Sequence, residues 1–123
     1  MLVFVYGTLL SGEPNNKHYL GNSERMGNEV VSGFTMISVG NFPACIQNPN
    51  SEVSILGEVW KIDEETLKRL DYLEGYPHFY NRVEVDTFAG KAWMYCFPET
   101  KLNDSVHVIS SGSWKEFVGK KGH

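Results

Sequence analysis

The run Leu2-Val3-Phe4-Val5-Tyr6, closed at once by Gly7, constrains the fold more than any other segment. It is continuously apolar and β-rich, with none of the alternation that marks a strand with one wet face. Such a run reads as a strand buried on both sides, inside a sheet with packing above and below. The chain is long enough to supply that packing. Its 123 residues are 41% hydrophobic and 13% aromatic, which suits one domain over 1–123 with a core that needs no disulfide or metal staple. The same run is too short for a signal peptide and lacks a charged region before it, and no other stretch approaches a membrane span. We therefore expect a cytoplasmic protein with no membrane partner.

Downstream, the pattern continues to favour strands. Gly7 to Asn15 is a loop by its Gly, Ser and Pro content, and Asn16 to Leu20 suits a short helical turn. Glu29 to Val39 is strand material bent at Gly33, and Asn41 to Ser51, with Pro43 and Pro49, reads as loop. Val53 to Ile62 is a strand whose Gly57 marks a bulge or a close backbone approach. Asp63 to Glu74 is the clearest helix. Asp63 is its N-cap, Glu64 and Glu65 suit the dipole of the first turn, and Gly75 and Pro77 end it. Tyr80 to Phe88 and Lys91 to Phe97 form a hairpin around Phe88-Ala89-Gly90, and Val106 to Ile109 suits one more short strand. Many strands with one main helix, lacking regular βα alternation, predict an α+β fold with a mostly antiparallel or barrel-like sheet.

Charge removes several functions. With 11 Lys and Arg against 15 Asp and Glu, the net charge is -4, and Lys68-Arg69 and Lys120-Lys121 read as solvated surface, so nucleic acid is not an expected partner. Cys45 and Cys96 form no CxxC pair, and with four scattered histidines they give no zinc spacing. In a reducing compartment they read as buried or semi-buried thiols. Gly7 and Gly12 have the gap of a P-loop, but Glu13 stands where its lysine belongs. GxGxxG is absent as well.

The helix carries the sharpest chemical signal. Leu67, Leu70 and Leu73 form its apolar stripe; at 3.6 residues per turn Glu74 lies roughly 40° from the stripe's centre and Asp71 roughly 100° from it. Periodicity leaves two outcomes for Glu74: a carboxylate facing the core among Tyr72, Tyr76, Phe79 and Tyr80, or one bent out to solvent. In the first case, desolvation and the helix C-terminus both raise its pKa into the range that proton transfer near neutrality needs. The turn at Gly7 brings backbone N–H groups together that can converge on an anion, although a plain structural turn has the same sequence. Asp71 suits a helix-face charge or a hydrogen-bond acceptor bracing the next loop. Arg82 suits either an exposed strand charge or a partner for a carboxylate such as Asp71. Tyr95 suits the core or the interior of the sheet.

Taken in order, these segments resemble the γ-glutamylcyclotransferase-like family, closest to its γ-glutamylamine cyclotransferase and avirulence-induced-gene-like branch. Val3-Phe4-Val5-Tyr6-Gly7-Thr8-Leu9, followed by Gly12, Pro14 and Asn15, is similar to the family's opening signature. Gly57-Glu58-Val59-Trp60 is similar to its GEVY strand. Leu70 to Pro77 with Tyr80-Asn81-Arg82 is similar to its LDxxEGxPxxYxR segment, and Ala92-Trp93-Met94-Tyr95 to the strand after the hairpin. Asn41-Phe42-Pro43 resembles a loop that borders the pocket in relatives. The resemblance covers roughly Leu2 to Phe97. It implies a small mixed β-barrel with a few packed helices, and an enzyme that releases 5-oxoproline and a free amine from a γ-glutamyl amine or peptide, with no metal and no cofactor. It carries the catalytic glutamate onto Glu74 and the substrate-binding loop onto Tyr6, Gly7, Thr8 and Leu9. Tyr80 becomes a pocket residue and Arg82 a supporting one. The chain lacks the longer insertions after Pro98 that shape a leaving-group pocket in relatives, so the amine stays open. A non-catalytic module capturing a carboxylate or amino-acid-like ligand is the rival reading. A glycosidase needs a second acid beside Glu74, and the roughly 60° offset of Asp71 along the helix aims it elsewhere.

Overall fold

The computed structural model describes residues 1–98 and 107–121, the side chains of residues 120 and 121 excepted. Val106 of the expected last strand and the side chains of Lys120-Lys121 lie outside that set. Strand β1 (Leu2–Val5) is central in a five-stranded sheet of order β2-β5-β1-β7-β6, formed with β2 (Glu24–Val31), β5 (Ile55–Lys61), β6 (Asn81–Thr87) and β7 (Gly90–Cys96). It runs antiparallel to β5 and parallel to β7. Val3 and Val5 enter one apolar cluster and Phe4 and Tyr6 the other, so the strand is buried on both faces, as its unbroken apolar run requires.

A second sheet has the order β4-β3-β8, from β3 (Phe34–Ser38), β4 (Pro43–Gln47) and β8 (His107–Val108). One parallel bridge, Ile46 to Phe97, joins it to the end of β7. At the other side the edges β2 and β6 approach through Phe88, whose N–H donates to Glu29 Oε2 at 2.7 Å. The α+β class is thus as expected, but the sheets stay open and the barrel is a loose one.

Three parts of the sequence reading need correction. The stretch Asn41 to Ser51 is not all loop, because β4 lies within it. Pro43 misleads: proline lacks the ladder donor, yet the first residue of a strand tolerates it. The real signal is the turn at Gly40, where φ is 74° and the Val39 N–H bonds the Phe42 carbonyl at 2.8 Å. The chain also ends in a helix, α3 (Trp114–Lys121), that the strand pattern hides. Its start was readable as a capping pattern, Ser113-x-x-Glu116, and the Ser113 hydroxyl accepts the Glu116 N–H at 3.2 Å. In addition, β2 begins at Glu24, five residues before the apolar alternation shows it.

Helix α2 (Glu64–Glu74) follows its sequence signals closely. The Asp63 carboxylate caps Thr66 N–H at 2.8 Å. Gly75 adopts the left-handed conformation at φ 67°, and Tyr76 N–H returns to the Asp71 carbonyl at 2.9 Å, a Schellman closure. Leu70 is fully buried and Leu67 and Leu73 partly so, against the Val3–Val5 side of the sheet. Helix α1 (Pro14–Leu20) packs beside it and buries Leu20. Among the described residues, no helix is long and apolar enough to cross a membrane.

Candidate active site

A cavity of about 260 Å³ opens where the end of β1, the end of α2 and the start of β4 converge. The Gly7 to Leu9 turn forms one wall and Leu73-Glu74 with Tyr80 another, so helix and turn share one space. The lining is mostly apolar and aromatic, and Glu74 is its sole carboxylate among the described residues.

The turn is held through its oxygens. Asn15 N–H donates to the Thr8 carbonyl at 3.2 Å, and its side-chain amide donates to Thr8 Oγ1 at 3.0 Å. The Asn16 amide reaches the Leu9 carbonyl at 2.7 Å. The hydrogen bonds thus take up the turn's oxygens; among the described residues no loop hydrogen bond uses the N–H of Gly7, Thr8 or Leu9. Gly7 is a glycine for a reason other than the one its position suggests. Its φ is not positive; a Cβ there would lie 2.6 Å from Pro43 Cγ. Contact between the turn and β4 therefore excludes any side chain.

Farther along, Ser11 is tied to the sheet. Its N–H and hydroxyl both donate to Glu58 Oε1 at 2.9 Å, and Trp60 Nε1 adds a third bond at 3.1 Å. Burial pushes the Glu58 carboxyl up, but these bonds and the Arg25 guanidinium at 3.6 Å more than offset it, leaving it below its ordinary value. Glu58 is a structural brace that the sequence reading passed over, along with Asn15 and Asn16. Lys115 of α3 donates to the Ser11 carbonyl, so the C-terminal helix secures the same loop.

Glu74 is partly buried at the C-terminus of α2 and lines the cavity, the inward one of the two outcomes that periodicity left open. Among the described residues no donor meets its carboxylate, and desolvation by burial raises its pKa to about 7. Three phenols surround the space without serving it as donors. Tyr6 donates to the Tyr95 carbonyl at 2.7 Å and accepts Cys45 N–H at 3.1 Å; Tyr80 donates to the Pro43 carbonyl at 2.7 Å; Tyr95 donates to Asp71 Oδ1 at 2.6 Å. Burial holds all three above the ordinary tyrosine value, so they stay protonated. Tyr6 therefore lines the cavity while its hydroxyl ties β7 to β4. Tyr80 precedes β6 instead of lying on it, so strand alternation does not relate it to Arg82.

Arg82 and Asp71 do meet. Arg82 Nε and Nη2 reach the two Asp71 oxygens at 2.9 and 3.2 Å, and the guanidinium lies 4.2 Å from the Tyr76 ring centre and 4.4 Å from that of Trp93. The bidentate pair and Tyr95 occupy Asp71, which does not line the cavity. Arg82 thereby clamps the last turn of α2 to β6 and β7, one turn from Glu74. Removing it leaves a partly buried carboxylate without its cation. Arg82→Ala should cost about 1–3 kcal/mol in chemical denaturation, and Arg82→Lys should recover only part, because lysine has neither the fork nor the planar stack. Equal stability of all three forms would dismiss the clamp.

Cys45 and Cys96 are free and buried, as expected of them.

In this α+β fold a partly buried carboxylate and the Gly7 to Leu9 turn line one mostly apolar cavity. The chain belongs to the gamma-glutamyl cyclotransferase, AIG2-like family, a family of cyclotransferase enzymes whose model matches residues 3–116. A Vibrio cholerae protein provisionally assigned as a gamma-glutamylcyclotransferase is 40% identical over 118 residues, 95% of this chain and 97% of its own. The solution structure of YtfP from Escherichia coli superposes with a TM-score of 0.75 at 30% identity, covering 96% of this chain and 99% of YtfP. The crystal structure of an uncharacterized Pyrococcus horikoshii protein gives a TM-score of 0.82 at 26% identity, over 100% and 97% of the two chains.

Proposed function

We propose that the chain is a γ-glutamyl cyclotransferase that converts a γ-glutamyl amide to 5-oxoproline and a free amine, with Glu74 as general acid/base. The observation that carries this reading is an unpaired, partly buried carboxylate with a pKa of about 7, in one cavity with the Gly7 to Leu9 turn. The turn amides hold the substrate's carboxylate or the oxyanion that forms on the γ-carbonyl. Glu74 takes a proton from the substrate's α-ammonium. The α-nitrogen then bonds to the γ-carbon, closing the five-membered ring. As the tetrahedral centre collapses, the bond from the γ-carbon to the leaving nitrogen breaks. Two protons leave the α-nitrogen in all, and two arrive on the departing amine, with Glu74 as the carrier. No water is consumed. The attack is intramolecular, so a cavity that bends the substrate lowers the barrier by restricting its freedom. Tyr80 shapes the wall beside the reacting atoms, and Arg82 supports the helix from behind.

The test is 5-oxoproline release from γ-glutamyl amides by the purified protein. Because the base must be ionised, kcat/KM should rise with pH to a plateau, with its midpoint about 7, the value set by burial of Glu74. Thermal stabilisation by 5-oxoproline with no release from any γ-glutamyl amide would mark a binding module instead.

A further inference from the structure

One phenol is bonded to both halves of the cavity wall. Tyr95 is 4% exposed and lines the cavity. Its main-chain carbonyl accepts the Tyr6 hydroxyl at 2.7 Å, and Tyr6 directly precedes the Gly7 turn. The same Tyr6 oxygen accepts Cys45 N–H at 3.1 Å, which adds β4, whose Pro43 packs on Gly7. At its other end the Tyr95 hydroxyl donates to Asp71 Oδ1 at 2.6 Å, the short distance of a bond to an ionised carboxylate. Asp71 lies three residues before Glu74 in the last turn of α2. Arg82 reaches the same carboxylate through Nε and Nη2. Arg82 and Tyr95 are direct partners in the β6–β7 ladder, so their side chains leave one face of the sheet and meet at Asp71. Of Asp71, Arg82 and Tyr95, only Tyr95 lines the cavity.

We propose that Tyr95 is a positioning residue for the acid/base: its hydroxyl, acting through Asp71, fixes the Glu74 carboxylate relative to the Gly7 turn. The proposal rests on the cyclotransferase reading above. Among the described residues no donor holds the Glu74 carboxylate itself, so its place depends on the helical turn that carries it. Arg82 anchors that turn from β6 and Tyr95 anchors it from β7, and anchors on two strands restrict a rotation that one leaves free. The reaction needs this restriction, because the carboxylate must reach the attacking and the departing nitrogen while the turn holds the rest of the substrate. Burial first, and the Asp71 bond next, hold the Tyr95 phenol above the ordinary tyrosine value, so its proton stays in place over the pH range of the reaction.

The experiment measures kcat and KM for 5-oxoproline release at pH 8 in the parent, Tyr95→Phe, Asp71→Ala and the double variant, with unfolding temperature alongside. The substrate is whichever of γ-glutamylmethylamide, γ-glutamylbenzylamide and γ-glutamylglycine the parent turns over fastest. Tyr95→Phe keeps the ring; it should stay folded yet lose about 10- to 100-fold in kcat with KM within about 3-fold of the parent, the pattern of a misplaced catalytic group. In Asp71→Ala, where the hydroxyl has lost its acceptor, adding Tyr95→Phe should lower kcat by no more than about 2-fold. Parent-like kcat in Tyr95→Phe, or a loss carried by KM, overturns the positioning role and leaves the cyclotransferase reading standing. An undiminished effect of Tyr95→Phe in folded Asp71→Ala overturns it too, since the phenol would then act on the substrate directly. If Asp71→Ala does not fold, Tyr95→Phe decides alone by the same kcat and KM criteria. Release from none of the three amides by the parent overturns the cyclotransferase reading and the positioning role with it.

Discussion

Glu74→Gln should lower kcat by about 10²- to 10⁴-fold, the usual contribution of a positioned acid/base, and at the same time make the protein more stable at pH 8. The two effects have one cause. The carboxyl titrates at about 7 in the folded chain and near the ordinary glutamate value once unfolded. Between those pH values the folded state binds more protons than the unfolded one, so stability is highest below the unfolded pKa. It declines as pH rises toward about 7 and levels off above it. The total loss is at most ~4 kcal/mol, and nearer 1–2 if the site relaxes. Glutamine has the same shape without the charge, so it removes the decline. Denaturation of both proteins at pH 5 and pH 8 should show a gap that opens at the higher pH. A variant with near-normal turnover, or a gap that does not depend on pH, would refute the assignment. Rising stability on loss of a side chain is what a strained functional group predicts and what a surface charge does not.

Gly57→Ala is expected to be severely destabilising, because the added methyl meets backbone at the centre of the sheet. A Cβ at this position would stand 2.2 Å from the Val5 carbonyl oxygen and 2.6 Å from the Phe4 ring. Val5 is in β1 at the centre of the sheet, and Phe4 is fully packed on the other side of that strand. A flexible side chain has no part in the closest contact, so the backbone of β5 or β1 must move. We expect a cost of about 3 kcal/mol or more and a drop in unfolding temperature of roughly 10–20 °C. The displacement would also carry the Gly7 turn, which begins two residues after Val5. A thermal melt of Gly57→Ala within a few degrees of the parent would show that the strands can part without cost.

Much of the site was legible in the primary structure because it depends on local periodicity. Three leucines at helical spacing put Glu74 beside the apolar stripe, where an inward direction was one of two outcomes, and the cap residues Asp63 and Gly75 fixed where the helix begins and ends. The unbroken run before Gly7 required a strand with packing on both faces, and β1 has it. The Arg82 partner was readable as a possibility, since Asp71 points away from the stripe, but only the fold chose pairing over exposure. The open pair of sheets and the pairing of the strand behind Pro43 were not visible in that way. Each is decided by contacts between residues far apart in the chain, which local propensity does not record.

The order of residues therefore determined an acid beside the apolar stripe at the end of a capped helix and a glycine turn after a two-faced strand. Tertiary structure alone decided that these two features share one cavity. The β1–β5 and β1–β7 pairings place the turn, the Arg82 clamp places the helix end, and Pro43 from a distant strand presses against Gly7. The physical reason is the range of the forces involved. A helix repeats every few residues and announces its faces, whereas a cavity exists only where surfaces from separate segments stop short of filling space.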